Sequence, residues 1–276
     1  MDRYAVIGNP IAHSKSPQIH AAFARQTGQE LSYEALLAPV DGFAQTVADF
    51  RAHGGRGLNV TVPFKLEAFA LAERHTPRAQ AAGAVNTLAF DADGILGDNT
   101  DGAGLVRDLT ANLDFALAGR RILLLGAGGA TRGALAPIAR AGASRIVIAN
   151  RTAGKAAALA QEMAPHLPGT VVEGGGFGDL APGDAFDIVI NATAASLAGE
   201  APAVPASAFA AGALAYDMVY GKGLTPFLKL AQAAGAARVA DGVGMLVEQA
   251  AEAFAWWRGV RPDTRAVLQR LTVPLA

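Results

Sequence analysis

Arg121-Ile122-Leu123-Leu124-Leu125-Gly126-Ala127-Gly128-Gly129-Ala130-Thr131 is an apolar run of strand length that stops at a cluster of glycines. Such a run reads as a buried strand leading into a helix. Glycines in the turn let the backbone approach a pyrophosphate, and the helix start offers free N–H groups and positive partial charge. The pattern is GxGxx, with Thr131 where the common fingerprint has glycine or alanine. Gly126, Ala127, Gly128, Gly129, Ala130 and Thr131 are therefore the candidate dinucleotide loop.

About 25 residues further, at the end of the next strand, an NAD-binding chain presents a carboxylate to the ribose hydroxyls. Here the sequence is Asn150-Arg151-Thr152, with Lys155 one helical turn on. A carboxylate there would repel a 2′-phosphate, whereas Arg151, Thr152 and Lys155 can bind one by charge-assisted hydrogen bonds. Two cations at the positive end of a helix are unfavourable unless an anion arrives. NADP(H) is thus the expected cofactor.

Strands and helices alternate on both sides of this motif. Upstream, strands are predicted at 4–8, 32–37 and 57–62, with helices at 16–27, 40–53 and 64–74. Strands at 87–91 and 94–97 flank the turn dipeptide Asp93-Gly94 and form a hairpin. After a helix at 102–113 come strands at 121–126, 145–149, 170–173, 187–191 and 214–218, with helices at 129–141 and 153–164. Helices at 245–258 and 262–271 close the chain. The expected fold is α/β in two domains: an N-terminal α/β domain with a mostly parallel sheet, and a Rossmann-type domain. The expected boundaries are 1–101 plus 245–276 for the first and 102–244 for the second, the C-terminal helices returning to the first.

The 276 residues, 51% hydrophobic and 17% charged with 32 glycines, fit a globular chain. A formal charge of −1 provides no field to gather nucleic acid or an anionic membrane, so small molecules are the expected partners. There is no cysteine, and the five histidines are scattered, so no metal site is expected. No signal-peptide pattern or membrane-length apolar run is present, and a cytoplasmic monomer or homodimer is expected.

The N-terminal region carries the candidate substrate chemistry. In Leu58-Asn59-Val60-Thr61-Val62-Pro63-Phe64-Lys65, period-two alternation puts Asn59 and Thr61 on one strand face. Lys65 then opens a helix, whose positive end disfavours an ammonium unless a carboxylate faces it. Asp101, in Gly97-Asp98-Asn99-Thr100-Asp101-Gly102, is the candidate carboxylate, although it also suits a helix N-cap. Asn9-Pro10-Ile11-Ala12-His13-Ser14-Lys15-Ser16-Pro17 offers two hydroxyls after the first strand, Ser16 suited to capping and Ser14 free of that duty. Asn86, in Gly83-Ala84-Val85-Asn86-Thr87, can donate and accept, as polyol recognition requires.

GNPIAHSKSP, NVTVPFK, GAVNT, GDNTDG, GAGGATRG, NRT and DGVGMLVEQA occur in this order, and in them the chain resembles the shikimate dehydrogenase family over nearly its whole length. The resemblance implies reversible NADPH-dependent reduction of 3-dehydroshikimate to shikimate, a step toward chorismate and the aromatic amino acids, with substrate in a cleft between two domains. It implies that Ser14 and Ser16 bind the substrate carboxylate and that Lys65, Asn86 and Asp101 meet its ring oxygens. Thr61, Tyr220 and Gln249 would line the same pocket. It further implies that Gly126 to Thr131 hold the pyrophosphate, that Asn150, Arg151 and Thr152 hold the adenosine end, and that Thr193, Met218 and Gly242 lie along the cofactor. Lys65 and Asp101 are the candidate catalytic pair. The family usually continues Asn-Ala-Thr with serine and then a glycine, whereas this chain has Ala194-Ala195-Ser196, which puts a serine contact there in doubt. Alternatives are a quinate/shikimate dehydrogenase with NAD use and a non-catalytic sensor of dinucleotide and shikimate. A dehydrogenase acting on a folate or glutamyl-tRNA suits the hydroxyl-rich segments less well.

Overall fold

The computed structural model describes residues 1–181, 183–221 and 223–275. The chain divides into two compact units, Met1–Gly104 with Val247–Gln269 and Leu105–Leu246 with Arg270–Ala276.

In the first unit the chain runs β1 (Asp2–Gly8), α1 (Ser16–Thr27), β2 (Leu31–Leu37), α2 (Phe43–Ala52), β3 (Gly55–Val60), α3 (Lys65–Leu71), β4 (Arg74–His75), α4 (Pro77–Ala82), β5 (Thr87–Asp91), β6 (Gly94–Asp98) and α5 (Asp101–Arg107). Its strands form one sheet in the order β2-β1-β3-β5-β6-β4. β1 pairs in parallel with β2 and β3, and β4 does so with β6. The predicted hairpin, β5 with β6, supplies the antiparallel pairings, to itself and to β3. Five consecutive residues of β1, Tyr4 to Gly8, are buried, as expected of a central strand covered on both faces. Ile7, Phe43, Val47, Leu58, Val60 and Phe64 are among the residues of an apolar cluster in this unit.

Several boundaries differ from the sequence reading, each for a local reason. α2 begins at Phe43, not at Val40, because residues 39–42 form a turn closed by the Gly42 N–H on the Pro39 carbonyl, 3.0 Å. α3 stops at Leu71, and Arg74–His75 pairs with Leu96–Gly97 as a short strand. α4 follows at once, with Pro77 in its first turn and Thr76 Oγ1 accepting from the Ala79 N–H at 3.2 Å. Ser16 is not the cap of α1. The helix starts at Ser16 itself, and Ser14 Oγ accepts from the Ser16 N–H at 3.3 Å.

The second unit contains β7 (Arg121–Leu125), α6 (Gly129–Arg140), β8 (Arg145–Ala149), α7 (Ala153–Met163), β9 (Val171–Gly175), β10 (Phe186–Asn191), β11 (Phe209–Asp217), α8 (Pro226–Ala233) and β12 (Arg238–Asp241). Every neighbouring pair in its sheet is parallel. The order β12-β11-β10-β7-β8-β9 is the doubly wound order of a Rossmann domain, with the direction of winding reversing between β7 and β10. α8 and β12 were not identified from the sequence, and β11 is longer than the strand expected at 214–218. The helix expected at 102–113 is α-helical only to Arg107 and continues as a π-turn, Asp108–Asn112. There Asp108 accepts from Asn112 Nδ2 at 2.9 Å and from the buried Tyr216 hydroxyl at 2.7 Å. α9 (Val243–Arg258) and α10 (Arg265–Leu271) complete the chain. Among the described residues no helix is long and apolar enough to cross a membrane.

His20 of α1 is fully buried, lying flat on the Tyr33 ring at 4.1 Å, with Phe23, Phe254 and Trp257 around it. Neither ring nitrogen has a hydrogen-bond partner among the described residues. Burial pushes its pKa down to about 3, against a smaller opposing influence of the Asn59 side chain. In the unfolded chain the imidazole titrates near its ordinary value of about 6.5. Its folded pKa being the lower, the unfolded chain takes up more protons as pH falls, so the contribution is whole above about 6.5 and is lost progressively toward 3. Between pH 7 and pH 5 the unfolding free energy of this unit should drop by about 2 kcal/mol through His20 alone. Urea unfolding followed by the fluorescence of Trp256 and Trp257, the only two tryptophans, measures it. His20→Phe should remove that part of the pH dependence; identical drops in both proteins would show that other groups carry it.

Candidate active site

Lys65 stands at the first position of α3 and Asp101 at the first position of α5. Lys65 Nζ donates to Asp101 Oδ2 at 2.7 Å, with 21% of the lysine side chain and 10% of the aspartate side chain exposed. The predicted pair is therefore formed, in a partly dry setting where a charged hydrogen bond is stronger than in open water. Asp101 is not an N-cap. Its backbone N–H is taken by Asn99 Oδ1 at 3.2 Å, which frees the carboxylate to face the lysine.

Asn86 joins the pair to its surroundings. Its Nδ2 donates to Asp101 Oδ1 at 2.9 Å and to Thr100 Oγ1 at 3.0 Å, and it lies 3.4 Å from Gln249 Oε1. Its Oδ1 accepts from the Thr100 N–H at 2.8 Å and from the Thr87 hydroxyl at 2.9 Å. Gln249 arrives from α9, and the crossing with α5 is at Gly104, where a Cβ would stand 2.6 Å from the Gln249 backbone nitrogen. Glycine there lets the two helices close up and brings the carboxamide to Asn86.

The network continues through Asn59, whose strand face the alternation gave, and through Thr87 and Tyr33, which the sequence reading did not single out. Asn59 Nδ2 donates to Thr87 Oγ1 at 3.0 Å, and the Tyr33 hydroxyl donates to Asn59 Oδ1 at 2.7 Å. Burial raises the Tyr33 phenol well above its ordinary pKa, opposed by the Ser16 hydroxyl beside it. Tyr33 is thus tied to Lys65 through the side chains of Asn59, Thr87, Asn86 and Asp101. Ser14 reaches this group through its contact with the Ser16 N–H, and Thr61 follows directly on β3, its N–H on the Ile7 carbonyl at 3.0 Å. Beneath Asn86 the fully buried Asp98 accepts from Arg78 Nε and Nη2 and from the Thr76 hydroxyl, and its carbonyl accepts from the Asn86 N–H at 3.0 Å. Arg78 lies on α4, a helix marked in the sequence only by Thr76-Pro77.

The second unit places its expected cofactor residues around the winding reversal. Gly126 follows β7 with φ +107, a conformation that favours glycine, and a Cβ on it would stand 3.1 Å from Thr193 Cγ2, in the loop after β10. Gly128 and Gly129 are different, since a Cβ on either would meet nothing within 4 Å. Open space above a glycine turn, beside the unpaired N–H groups at the start of α6, fits a pyrophosphate. Thr131 is fully buried and donates to the Gly126 carbonyl at 2.8 Å, so it locks the turn where the common fingerprint has a smaller residue. Ala127 and Ala130 lie within the same turn and helix start.

After β8, Asn150 Nδ2 donates to the Thr152 carbonyl at 3.0 Å, shaping a loop that exposes Arg151, Thr152 and Lys155. Among the described residues neither cation has an ion-pair partner. Thr193 is fixed by Asn191 Oδ1, at 2.7 Å from its hydroxyl and 3.1 Å from its N–H. Met218 follows β11, and Gly242 lies against it, where a Cβ would stand 2.3 Å from the Met218 carbonyl oxygen. That close approach accounts for glycine at 242 by itself. Tyr220, also in this unit, has its phenol pKa raised by burial and so remains a neutral donor. Among the described residues no cluster of three or more acidic or histidine side chains could hold a metal.

Comparison with known proteins follows the same division. Residues 6–88 match the family model described as shikimate dehydrogenase substrate binding domain, residues 109–199 that of shikimate / quinate 5-dehydrogenase, and residues 242–272 that of the shikimate 5'-dehydrogenase C-terminal domain. A protein of Aromatoleum aromaticum named shikimate dehydrogenase (NADP(+)) is 65% identical over 98% of this chain and 97% of its own length. Among solved structures, an Ael1 enzyme from Pseudomonas putida is 55% identical with a TM-score of 0.92 and full coverage of both chains. A shikimate 5-dehydrogenase from Thermus thermophilus, in complex with NADP(H) and shikimate, is 34% identical with a TM-score of 0.85, covering 99% of this chain and 100% of its own. A glycine turn at a Rossmann winding reversal, a lysine–aspartate pair in a polar network, and these likenesses along the chain lead to one conclusion: this chain belongs to the shikimate dehydrogenase family.

Proposed function

We propose that this protein is an NADP-dependent shikimate dehydrogenase, reducing 3-dehydroshikimate to shikimate reversibly on the route to chorismate and the aromatic amino acids. The observation that carries the reading is the 2.7 Å contact of Lys65 with Asp101 inside the Asn86, Thr100 and Gln249 network. NADP(H), when bound in the second unit, supplies the hydride. The chain's own part is the proton and the placement of the substrate oxygens. An ammonium has three donors; Asp101 takes one, which leaves donors for the ring oxygen that changes between carbonyl and hydroxyl. Asp101 orients the ammonium and balances its charge as the proton moves. Ser14 and Ser16 bind the substrate carboxylate through their hydroxyls, Asn86, Thr61 and Gln249 complete the pocket, and Tyr220 is a further substrate-binding residue. Residues 1–101 with 245–276 form the substrate domain, and residues 102–244 form the cofactor domain.

The free cations of the 151–155 segment favour NADP over NAD, since a 2′-phosphate supplies the anion that the segment lacks. The test is the rate of NADPH formation from shikimate and NADP, set beside the rates with quinate and with NAD. Turnover should be fastest with shikimate and NADP. Preference for quinate or NAD would indicate the quinate/shikimate variant, and binding of both ligands with no turnover would indicate a sensor.

A further inference from the structure

Asp217, the last residue of β11, is fully buried, and its two oxygens are filled by four neutral donors. Oδ1 accepts from Asn191 Nδ2 at 3.0 Å and from the Val219 N–H at 3.1 Å. Oδ2 accepts from the Ser196 and Thr225 hydroxyls, each at 2.6 Å. A carboxylate offers about four lone-pair sites, so this one is fully used, and a buried one tolerates little loss.

These donors come from separate elements that meet at the carboxyl ends of β10 and β11. Asn191 ends β10 opposite Asp217 in the ladder. Val219 lies in the loop after β11, Ser196 in the turn Ala195–Ala198, and Thr225 is the N-cap of α8. Asn191 passes the constraint on. With its Nδ2 held by Asp217, its Oδ1 is aimed at the N–H and hydroxyl of Thr193, and its backbone carbonyl accepts from the Met218 N–H at 2.9 Å. The Thr193 hydroxyl in turn accepts from the Ala195 N–H at 3.3 Å. Alanines at 194 and 195 leave Ser196 to supply the hydroxyl, and Ser196 is buried, 3% exposed, and turned inward.

We infer that Asp217, with Ser196 as its loop-side donor, is a positioning residue that sets Thr193 and Met218, through Asn191 and the strand ends, for the nicotinamide end of the coenzyme. The inference rests on the coenzyme reading of the second unit given above. It assigns to Asp217 no contact with coenzyme or substrate. Its effect is selective: the nicotinamide end should respond to loss of the clamp, and the adenosine end, held by the loop after β8, should not.

The experiment compares wild type with Ser196→Ala and Asp217→Asn in steady-state kinetics and in inhibition by 2′,5′-ADP, which carries the adenosine and its 2′-phosphate but no nicotinamide. Ser196→Ala should lower kcat/KM for NADPH about ten-fold, the loss expected for one hydrogen bond to a charged group, with the inhibition constant of 2′,5′-ADP unchanged. Asp217→Asn, which places an amide against two hydroxyl donors, should act in the same direction and more strongly; if it does not fold, Ser196→Ala decides alone. Unchanged kinetics in Ser196→Ala, with only a lower melting temperature, would overturn the inference, as would equal loss of NADPH and 2′,5′-ADP affinity. Failure of the underlying reading looks different: the wild type itself would neither turn over NADPH nor bind 2′,5′-ADP.

Discussion

Replacing Lys65 by alanine is expected to lower kcat about 10²–10⁴-fold, the range usual for removing a general acid or base, while the KM for NADPH stays within two-fold. The asymmetry follows from the fold. Lys65 belongs to the first unit and bonds Asp101 of the same unit, whereas the glycine turn and the free cations belong to the second. The two members of the pair should also be coupled. Asp101→Asn leaves the ammonium without its counter-charge, and Lys65→Ala leaves the carboxylate with Asn86 alone. A double variant should then lose far less than the product of the two single losses, because each single change already disables the shared function. Activity near wild type in Lys65→Ala, at unchanged melting temperature, would remove the lysine from the chemistry. Additive losses would keep both residues but separate their roles.

The sequence was most legible where a local pattern and a global constraint agreed. Arg145–Ala149 and Thr87–Asp91 carry their own secondary-structure signal and occur as read, and the strand read at 121–126 ends one residue earlier, at Leu125, before its glycine turn. Lys65 and Asp101, 36 positions apart, could be paired in advance because an ammonium at a helix start needs a counter-charge. What stayed hidden was set by tertiary contact. Arg74–His75 is a strand only because Leu96–Gly97 is beside it. Arg78 holds Asp98, and Tyr33 reaches Asn59, through side chains whose meeting has no periodicity to announce it. Ser16 looked like a cap because Ser-Pro commonly begins a helix, but the cap geometry depends on where the preceding loop places Ser14. Asp217 gave no signal at all, since a buried carboxylate and an exposed one read alike until the donors around it are known.

The second large effect concerns the choice of coenzyme. Arg151→Ala is expected to raise the KM for NADPH about 10–150-fold, because a charge-assisted hydrogen bond is worth about 1.5–3 kcal/mol and each 1.4 kcal/mol is a factor of ten. The KM for NADH should hardly change. Arg151 is exposed, so salt screens its charge, and the discrimination in the wild type should shrink as ionic strength rises. Arg151→Lys keeps the charge but loses the planar fork that matches a phosphate, and its KM for NADPH should fall between those of wild type and the alanine variant. Lys155→Ala should act in the same sense. These outcomes separate two roles open to an arginine in this loop. If its guanidinium meets the 2′-phosphate, the loss is confined to NADPH and follows charge. If instead it packs on the adenine, NADPH and NADH lose affinity together and lysine does not rescue, an outcome that would leave the preference for NADP without its structural cause.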